Sequence, residues 1–185
     1  MANNCNNTLV NLQRVCEDKN NKGGLYTEIM VAYHKDVQIT MDRANNQVTN
    51  IEMATGGDAK WYCFQFAKGS AELTSEYTFD GDTGDKQFCT NTLTIDFKKQ
   101  SQAKKISLIG LLNSEVFILI KDANGAFYAL GTEEYASANS ATSTTGKART
   151  DANQYTIAVS DTTQEFAPDV KADVAQDIFD SFVWE

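Results

Sequence analysis

The feature that most constrains this chain is a long alternation of apolar and polar side chains, interrupted once by a turn. From residue 71 to 79, Ala, Leu, Ser, Tyr and Phe alternate with Glu and Thr, and the alternation resumes over residues 88–97. Between them, residues 80–85 (DGDTGD) are rich in Asp and Gly, which favour tight turns. A period of two is typical of a strand with one buried and one exposed face. The sequence therefore predicts a long β-hairpin over 70–97.

The two faces of this hairpin differ in chemistry. One face is apolar and includes Leu73 and Phe79, followed on the return strand by Leu93, Ile95 and Phe97. The opposite face consists of threonine and acid, with the following members: Glu72, Thr74, Glu76 and Thr78 on the first strand, and Thr90, Thr92 and Thr94 on the second. A hairpin of this kind suits a wall that separates a protein core from a polar space.

Other windows extend the β pattern. Strands are predicted over 25–33, 37–40, 48–53, 60–66, 115–121, 126–130, 155–159 and 164–166. The pair Asn124-Gly125 predicts a type I′ turn between two of them. Residues 136–148 (ASANSATSTTGKA) are small and polar, so we expect an exposed, adaptable loop there. The fold class is therefore mainly β, an antiparallel sandwich or barrel.

One internal window breaks the period of two and predicts a short helix over 101–113. Ser101 is a good N-terminal cap, since its hydroxyl can accept a hydrogen bond from the first turn. The expected buried stripe of this helix contains Lys105, Leu108, Ile109 and Leu112.

A second helix is predicted over 170–183, with Pro168 at its start. Val174, Ile178 and Phe182 recur at intervals of four and form an apolar stripe. Residues 161–185 hold seven acidic residues and one basic residue, which is most of the chain's net charge of −9. The stripe docks either on its own domain or on a neighbouring subunit, and inter-subunit docking is the sharper hypothesis.

Length and charge narrow the class of protein. A chain of 185 residues with 42% hydrophobic residues can form one compact domain with a real core. Twenty-five acidic residues against sixteen basic ones disfavour tight binding of nucleic acid, although an acidic surface can let DNA slide past. No run of 18 apolar residues is present, so we expect no membrane span. The Asn-rich N-terminus does not resemble a secretory signal, so synthesis in a cytosol is expected.

No motif for catalysis, metal binding or cofactor binding stands out. His34 is the only histidine, and we interpret it as a surface residue. The turn 80–85 matches a calcium loop for three positions and then has Gly and Asp where an acid and a glycine are needed. Cysteines at positions 5, 16, 63 and 89 form no CxxC pair, so we expect them reduced; a Cys5–Cys16 bridge is the alternative. We predict no enzyme, no metal and no cofactor.

A set of short motifs lies along the chain in a distinctive order. They are Gly23-Gly24-Leu25 before a strand, the hairpin 70–97, the helix 101–113, the run 121–131 (KDANGAFYALG), residues 145–155 (TGKARTDANQY) and 166–168 (FAP). This order resembles phage tail tube proteins, in particular tail-tube-like proteins of phages that infect Bacteroides-type bacteria. The resemblance covers roughly residues 20–170, and Gln154 stands where the family has glycine.

The resemblance implies a β-sandwich that closes with its neighbours into a ring around a channel for DNA. We divide the chain into an N-terminal arm (1–24), a tail-tube-like β domain (25–168) and an acidic C-terminal helix (169–185). The helix departs from the family, because a plain tail tube subunit need not have it. The polar face of the hairpin becomes the expected channel wall. The implied partners are further copies of the chain and adjacent tail, neck or portal proteins, in a virion assembled in the host cytoplasm. DNA passes through the channel without specific binding.

Two alternatives remain open. The acidic C-terminal helix suits a ring or neck connector beneath the portal of a short-tailed phage, which would use the same fold. In a different class, Trp61, Tyr62, Phe64 and Phe66 could form a platform that stacks on sugars, as in a carbohydrate-binding or adhesin module. Alternation along a strand, however, sends neighbouring aromatic side chains to opposite faces.

Overall fold

The computed structural model describes residues 20–55 and 59–183. Within these ranges the chain forms eleven strands, one 3₁₀ turn and two α-helices. The predicted mainly β class is therefore confirmed, as are the long hairpin and both helices. The first nineteen residues of the predicted N-terminal arm, and with them the Cys5–Cys16 bridge, lie outside the described residues.

The elements follow one another in this order. The first six strands are β1 (Leu25–Tyr33), β2 (Val37–Asp42), β3 (Gln47–Met53), β4 (Tyr62–Gln65), β5 (Ala71–Phe79) and β6 (Lys86–Lys98). Helix α1 (Gln102–Leu112) precedes β7 (Val116–Asp122), β8 (Phe127–Leu130), β9 (Ser137–Thr144), β10 (Gln154–Thr163) and β11 (Asp169–Val170). Helix α2 (Ala172–Ser181) is the last element of the described residues.

The strands form two sheets. The larger has seven strands in the order β2-β3-β11-β8-β7-β1-β4, and the smaller has four in the order β5-β6-β10-β9. Neighbouring strands are antiparallel except where β11 runs parallel to β3. The hairpin β5–β6 belongs to the small sheet, in which β10 pairs with β6 over ten residues.

The main core lies between the two sheets. It contains Ile29, Ile118 and Ile120 from the large sheet, packed with residues such as Leu93 and Ile157 from the small sheet. A second apolar cluster lies on the other face of the large sheet and is covered by α2. The protein therefore has three layers: the small sheet, the large sheet and one helix.

Helix α1 closes one end of the main core. As expected, the Ser101 hydroxyl accepts a hydrogen bond from the Lys104 N–H, at 3.3 Å. The predicted buried stripe is confirmed for Leu108 and wrong for its other members, because Ile109, Leu112 and Lys105 are exposed. Leu111 is the second buried residue. The helix meets the sandwich along one narrow line, so only a pair of side chains three residues apart reaches the core.

Two turn and loop predictions also need correction. Asn124-Gly125 does not form a type I′ turn, since only Gly125 has a positive φ (93°) and the Asp122 carboxylate organises the turn by accepting N–H groups of Asn124 and Ala126. Residues 137–144 are not a loop but strand β9. Their small side chains need no burial, because pairing with β10 satisfies their backbone groups.

The closing part of the chain differs from the sequence expectation in its boundaries. β10 continues to Thr163, and residues 164–166 form a bend instead of a strand. Pro168 does not start the helix, because Asp169 and Val170 first add a short strand between β3 and β8. Helix α2 then begins at Ala172.

Helix α2 packs on its own chain. Ala175 is fully buried, and Ile178, Phe179 and Phe182 contact the cluster that contains Met30, Phe117 and Phe127. The rings of Phe127 and Phe179 lie 5.8 Å apart between centroids. Of the two alternatives for the apolar stripe, the structure therefore favours its own domain. Docking of Val174, Ile178 and Phe182 on another subunit stays a prediction.

We expect the substitution Phe179→Ala to lower the free energy of unfolding by about 2 kcal/mol, because it removes a half-buried ring from a cluster that no other layer covers. Urea unfolding followed by tryptophan fluorescence measures the effect. Asp177→Ala, two residues away on the exposed side of the helix, is the control and should change the value by less than about 0.5 kcal/mol. Equal stabilities for both variants would contradict the intramolecular docking of α2.

Candidate functional site

The outer face of the small sheet is the most distinctive surface of the molecule, and we call it the threonine face. Its side chains point away from the core because their neighbours Leu93, Ile95, Ile157 and Val159 point into it. All seven residues predicted for the polar side of the hairpin lie on it: Glu72, Thr74, Glu76, Thr78, Thr90, Thr92 and Thr94. Strands β10 and β9 continue it with Thr156, Ser160, Thr162, Ser140 and Thr142.

Strand register arranges the hydroxyls in rows across the sheet. Thr74 lies opposite Thr92, which in turn lies opposite Ser160. Side chains in such directly opposite positions are about 5 Å apart at Cβ. The part of this face on β10 was not predicted, although residues 156–163 alternate between outer positions, polar except for Ala158, and buried inner positions.

The charge of the threonine face is negative along most of its length. Glu72 and Glu76 are exposed on β5, and Asp96 accepts a hydrogen bond from the Thr156 hydroxyl. Within the described residues, the first cation on this face is Lys98, at the end of β6. The face therefore offers hydroxyls and carboxylates but little attraction for phosphate.

Both edges of the small sheet are open. Among the described residues β5 pairs only with β6, and β9 pairs only with β10. These edge strands have nine and eight residues, and neither contains a proline or a lysine. Proline and charged side chains commonly protect an exposed edge. Of these, β5 has only Glu72 and Glu76 and β9 has none, so both edges are available for pairing with other strands.

The turn of the long hairpin is closed by its own first carboxylate. Asp80 Oδ1 accepts the N–H groups of Asp82 and Thr83 at 2.9 and 2.8 Å. The hydrogen bonds from these backbone groups, with Thr83 first, hold the pKa of Asp80 below its usual range. Within the described residues, no group of three or more His, Cys, Asp or Glu side chains is placed to hold a metal ion.

A buried polar cluster lies beneath the threonine face and ties the two sheets together. Asp161 on β10 accepts the Gly131 N–H at 2.7 Å, just after β8, and the Asn91 amide at 2.9 Å. Asn91 also donates to the Thr163 hydroxyl at 2.8 Å. Gly131 has no room for a side chain, since a Cβ would lie 2.6 Å from the Val116 carbonyl oxygen. Burial raises the pKa of the Asp161 carboxyl despite these hydrogen bonds.

The remaining sequence candidates do not form a site. Trp61 packs with the cluster under α2, whereas Phe64 and Phe66 pack with the core between the sheets, so the four aromatics form no common platform. Cys63 lies near Glu28, and burial raises its pKa to about 11, so it is a poor nucleophile. The ring of His34 packs edge-on against Tyr135.

Comparison with known proteins adds no assignment. No known family matches the chain, and no curated protein is significantly similar to it. In the parts of the chain that the structure describes, no helix is long and apolar enough to cross a membrane.

We expect Asp161→Ala to lower the free energy of unfolding at pH 7 by about 3 kcal/mol, because the buried Gly131 N–H and Asn91 amide lose an acceptor. The loss should grow as the pH falls toward 4. The pKa of Asp161 is raised in the folded state, so the native carboxyl binds its proton at higher pH than the unfolded one. Proton binding therefore stabilises the folded wild type at low pH, and this contribution is lost as the pH rises through the folded pKa. The alanine variant cannot titrate.

Chemical denaturation between pH 4 and pH 8 measures both effects. Asp96→Ala removes a carboxylate from the neighbouring strand on the outer face and serves as the control, with an expected loss of about 1 kcal/mol or less. A difference between wild type and Asp161→Ala that rises with pH would contradict the raised pKa.

The two faces of the hairpin should respond differently to substitution. Leu93→Ala removes a fully buried side chain from the core, and we expect it to lower the free energy of unfolding by about 2–5 kcal/mol. Glu76→Gln lies on the exposed side of the same hairpin and should change the value by less than about 0.5 kcal/mol. A large loss from Glu76→Gln in the monomer would show that the threonine face is not outward.

Proposed function

We propose that this chain is a structural ring protein that forms the wall of a phage tail tube or tail barrel and conducts DNA during ejection. The observation that carries the proposal is the small sheet, which combines a polar, acidic outer face with two open edges. The sequence resemblance to tail tube proteins, which rests in part on the same hairpin, favours the same function. A connector ring beneath the portal, which would use the same surfaces, is the alternative within this class.

The open edges supply a means of closing a ring. If β5 of one copy pairs with β9 of the next, the small sheets of several copies join edge to edge. Such a contact uses two different surfaces, and heterologous contacts form rings when the rotation between copies closes. Each copy then contributes four strands, about 19 Å of wall at the usual spacing between strands.

The threonine face is suited to line the channel of such a ring. Glu72, Glu76 and the net charge of −9 repel the phosphate backbone, so DNA is not held at fixed positions. Threonine and serine hydroxyls keep the wall hydrated without adding positive charge. A cationic wall would bind DNA through release of counterions and slow its passage.

Negative-stain microscopy of the purified protein at high concentration tests the proposal. We expect rings or tubes with a central channel, and a sample that contains only monomers at every concentration would contradict it. The double substitution Ser140→Glu/Thr142→Glu places acids on edge strand β9, opposite Glu72 or Glu76 of the next copy, and should reduce ring formation by like-charge repulsion.

A matched control adds the same charge to the same face away from an edge. Ala158→Glu/Ser160→Glu lies on the central strand β10, so it should leave ring formation unchanged. If both variants reduce ring formation equally, edge pairing is not the contact that closes the ring.

A further inference from the structure

The charges at the two ends of the small sheet are opposite in sign. Strand β6 has thirteen residues and spans about 40 Å from the hairpin turn to the start of α1. One end is acidic and the other is basic. We call the residues at these two ends the acidic tip and the basic end, as the strand register places them.

The acidic tip is the turn of the long hairpin. Pairing of β6 with β10 stops at Cys89, so residues 79–88 extend beyond the rest of the sheet. This segment carries Asp80, Asp82 and Asp85, and its one cation, Lys86, already pairs with Glu165 at 2.7 Å. Phe79 and Phe88 on the same segment are 60% and 42% exposed. The tip is therefore an acidic projection with uncovered aromatic rings.

The basic end collects cations from three parts of the chain. Six exposed cations lie there: Lys98, Lys99, Lys104, Lys105, Lys147 and Arg149. Hydrogen bonds join these parts, since Lys104 Nζ donates to the Lys98 carbonyl, the Lys99 N–H to the Asn153 carbonyl, and the Gln100 amide to the Thr144 carbonyl.

The carboxylates near the basic end already have partners. Asp151 accepts the N–H groups of Lys147 and Ala148, and Asp96 accepts the Thr156 hydroxyl. The exposed side chains of Ile106 (62%) and Ile109 (47%) lie on α1 beside the lysines. The basic end therefore also combines charge with uncovered apolar surface.

We propose that copies of this chain stack end to end along the strand direction, with the acidic tip of one copy seated on the basic end of the next. The partner is a second copy, because the chain itself carries both complementary surfaces. Opposite charges orient the contact, while phenylalanine and isoleucine side chains give it an apolar centre with a charged rim. A contact between two different ends is heterologous, and it builds an open column when the rotation between copies does not close. This inference rests on the proposed function, in which it would stack one ring on another.

A charge-reversal pair tests the stacking. The tip variant, Asp82→Lys/Asp85→Lys, has two basic ends, and Asp80 is left intact because it closes the turn. The end variant, Lys99→Glu/Lys105→Glu, has two acidic ends. We expect self-association of each variant alone to fall at least about tenfold, and an equimolar mixture to associate again because basic ends then meet acidic ends. Sedimentation velocity at 50 and 500 mM salt measures both, and the recovered association should weaken at high salt.

Matched controls carry the same charge changes elsewhere. Asp173→Lys/Asp177→Lys on the exposed side of α2 and Lys22→Glu/Lys35→Glu at other exposed positions leave both the acidic tip and the basic end unchanged, so each should self-associate as the unmodified chain does. Circular dichroism verifies that every variant folds. If the controls lose self-association as strongly as the reversal variants, or if the mixture of the tip and end variants recovers none, the stacking proposal is wrong.

Microscopy of the same samples separates the two proposals. Single rings in both reversal variants, with columns only in their mixture, would support ring formation and stacking together. Rings with no recovery in the mixture would overturn stacking alone. Columns without any ring or channel would support end-to-end association and contradict the proposed function.

Discussion

The structure depends on one strand that is apolar on both of its faces. Residues 116–120 of β7 (VFILI) are all buried: Val116, Ile118 and Ile120 face the core between the sheets, while Phe117 and Leu119 face the opposite side. A single sheet cannot shield such a strand from water, so a layer is required on each side. The small sheet covers one side and α2 covers the other, which is why the acidic C-terminal helix belongs to this domain.

The same constraint explains why the threonine face is left free. The inner side chains of the small sheet are buried in the core over β7. Because side chains along a strand alternate, every second residue then points outward. A further layer over the hydroxyls would bury polar groups without partners. The three layers therefore cover both apolar clusters within one chain. The threonine face, the two edge strands of the small sheet and its charged ends stay exposed to solvent.

The two sheets are also joined by a polar contact that adds geometric specificity to the apolar packing. Asp161 fixes β10 against the turn at Gly131, where the absence of a side chain allows the close approach. Apolar faces alone would tolerate sliding of one sheet over the other, whereas a buried carboxylate has few positions in which its hydrogen bonds are satisfied. The tie lies near the C-terminal end of β10 and helps to set the position of the hairpin relative to the rest of the domain.

The sequence by itself determined the mainly β class, the long hairpin, the polar composition of its outer face and the existence of both helices, because a period of two or of about four is a local property of the chain. Tertiary structure alone decided the rest. The segment 137–144 became a strand through pairing with β10, and α1 buried Leu111 in place of Ile109 because of where the sandwich ends. Likewise, Asp161 and Gly131 are thirty residues apart in the chain and became partners only when the two sheets met. Such contacts depend on long-range packing, which periodicity does not encode.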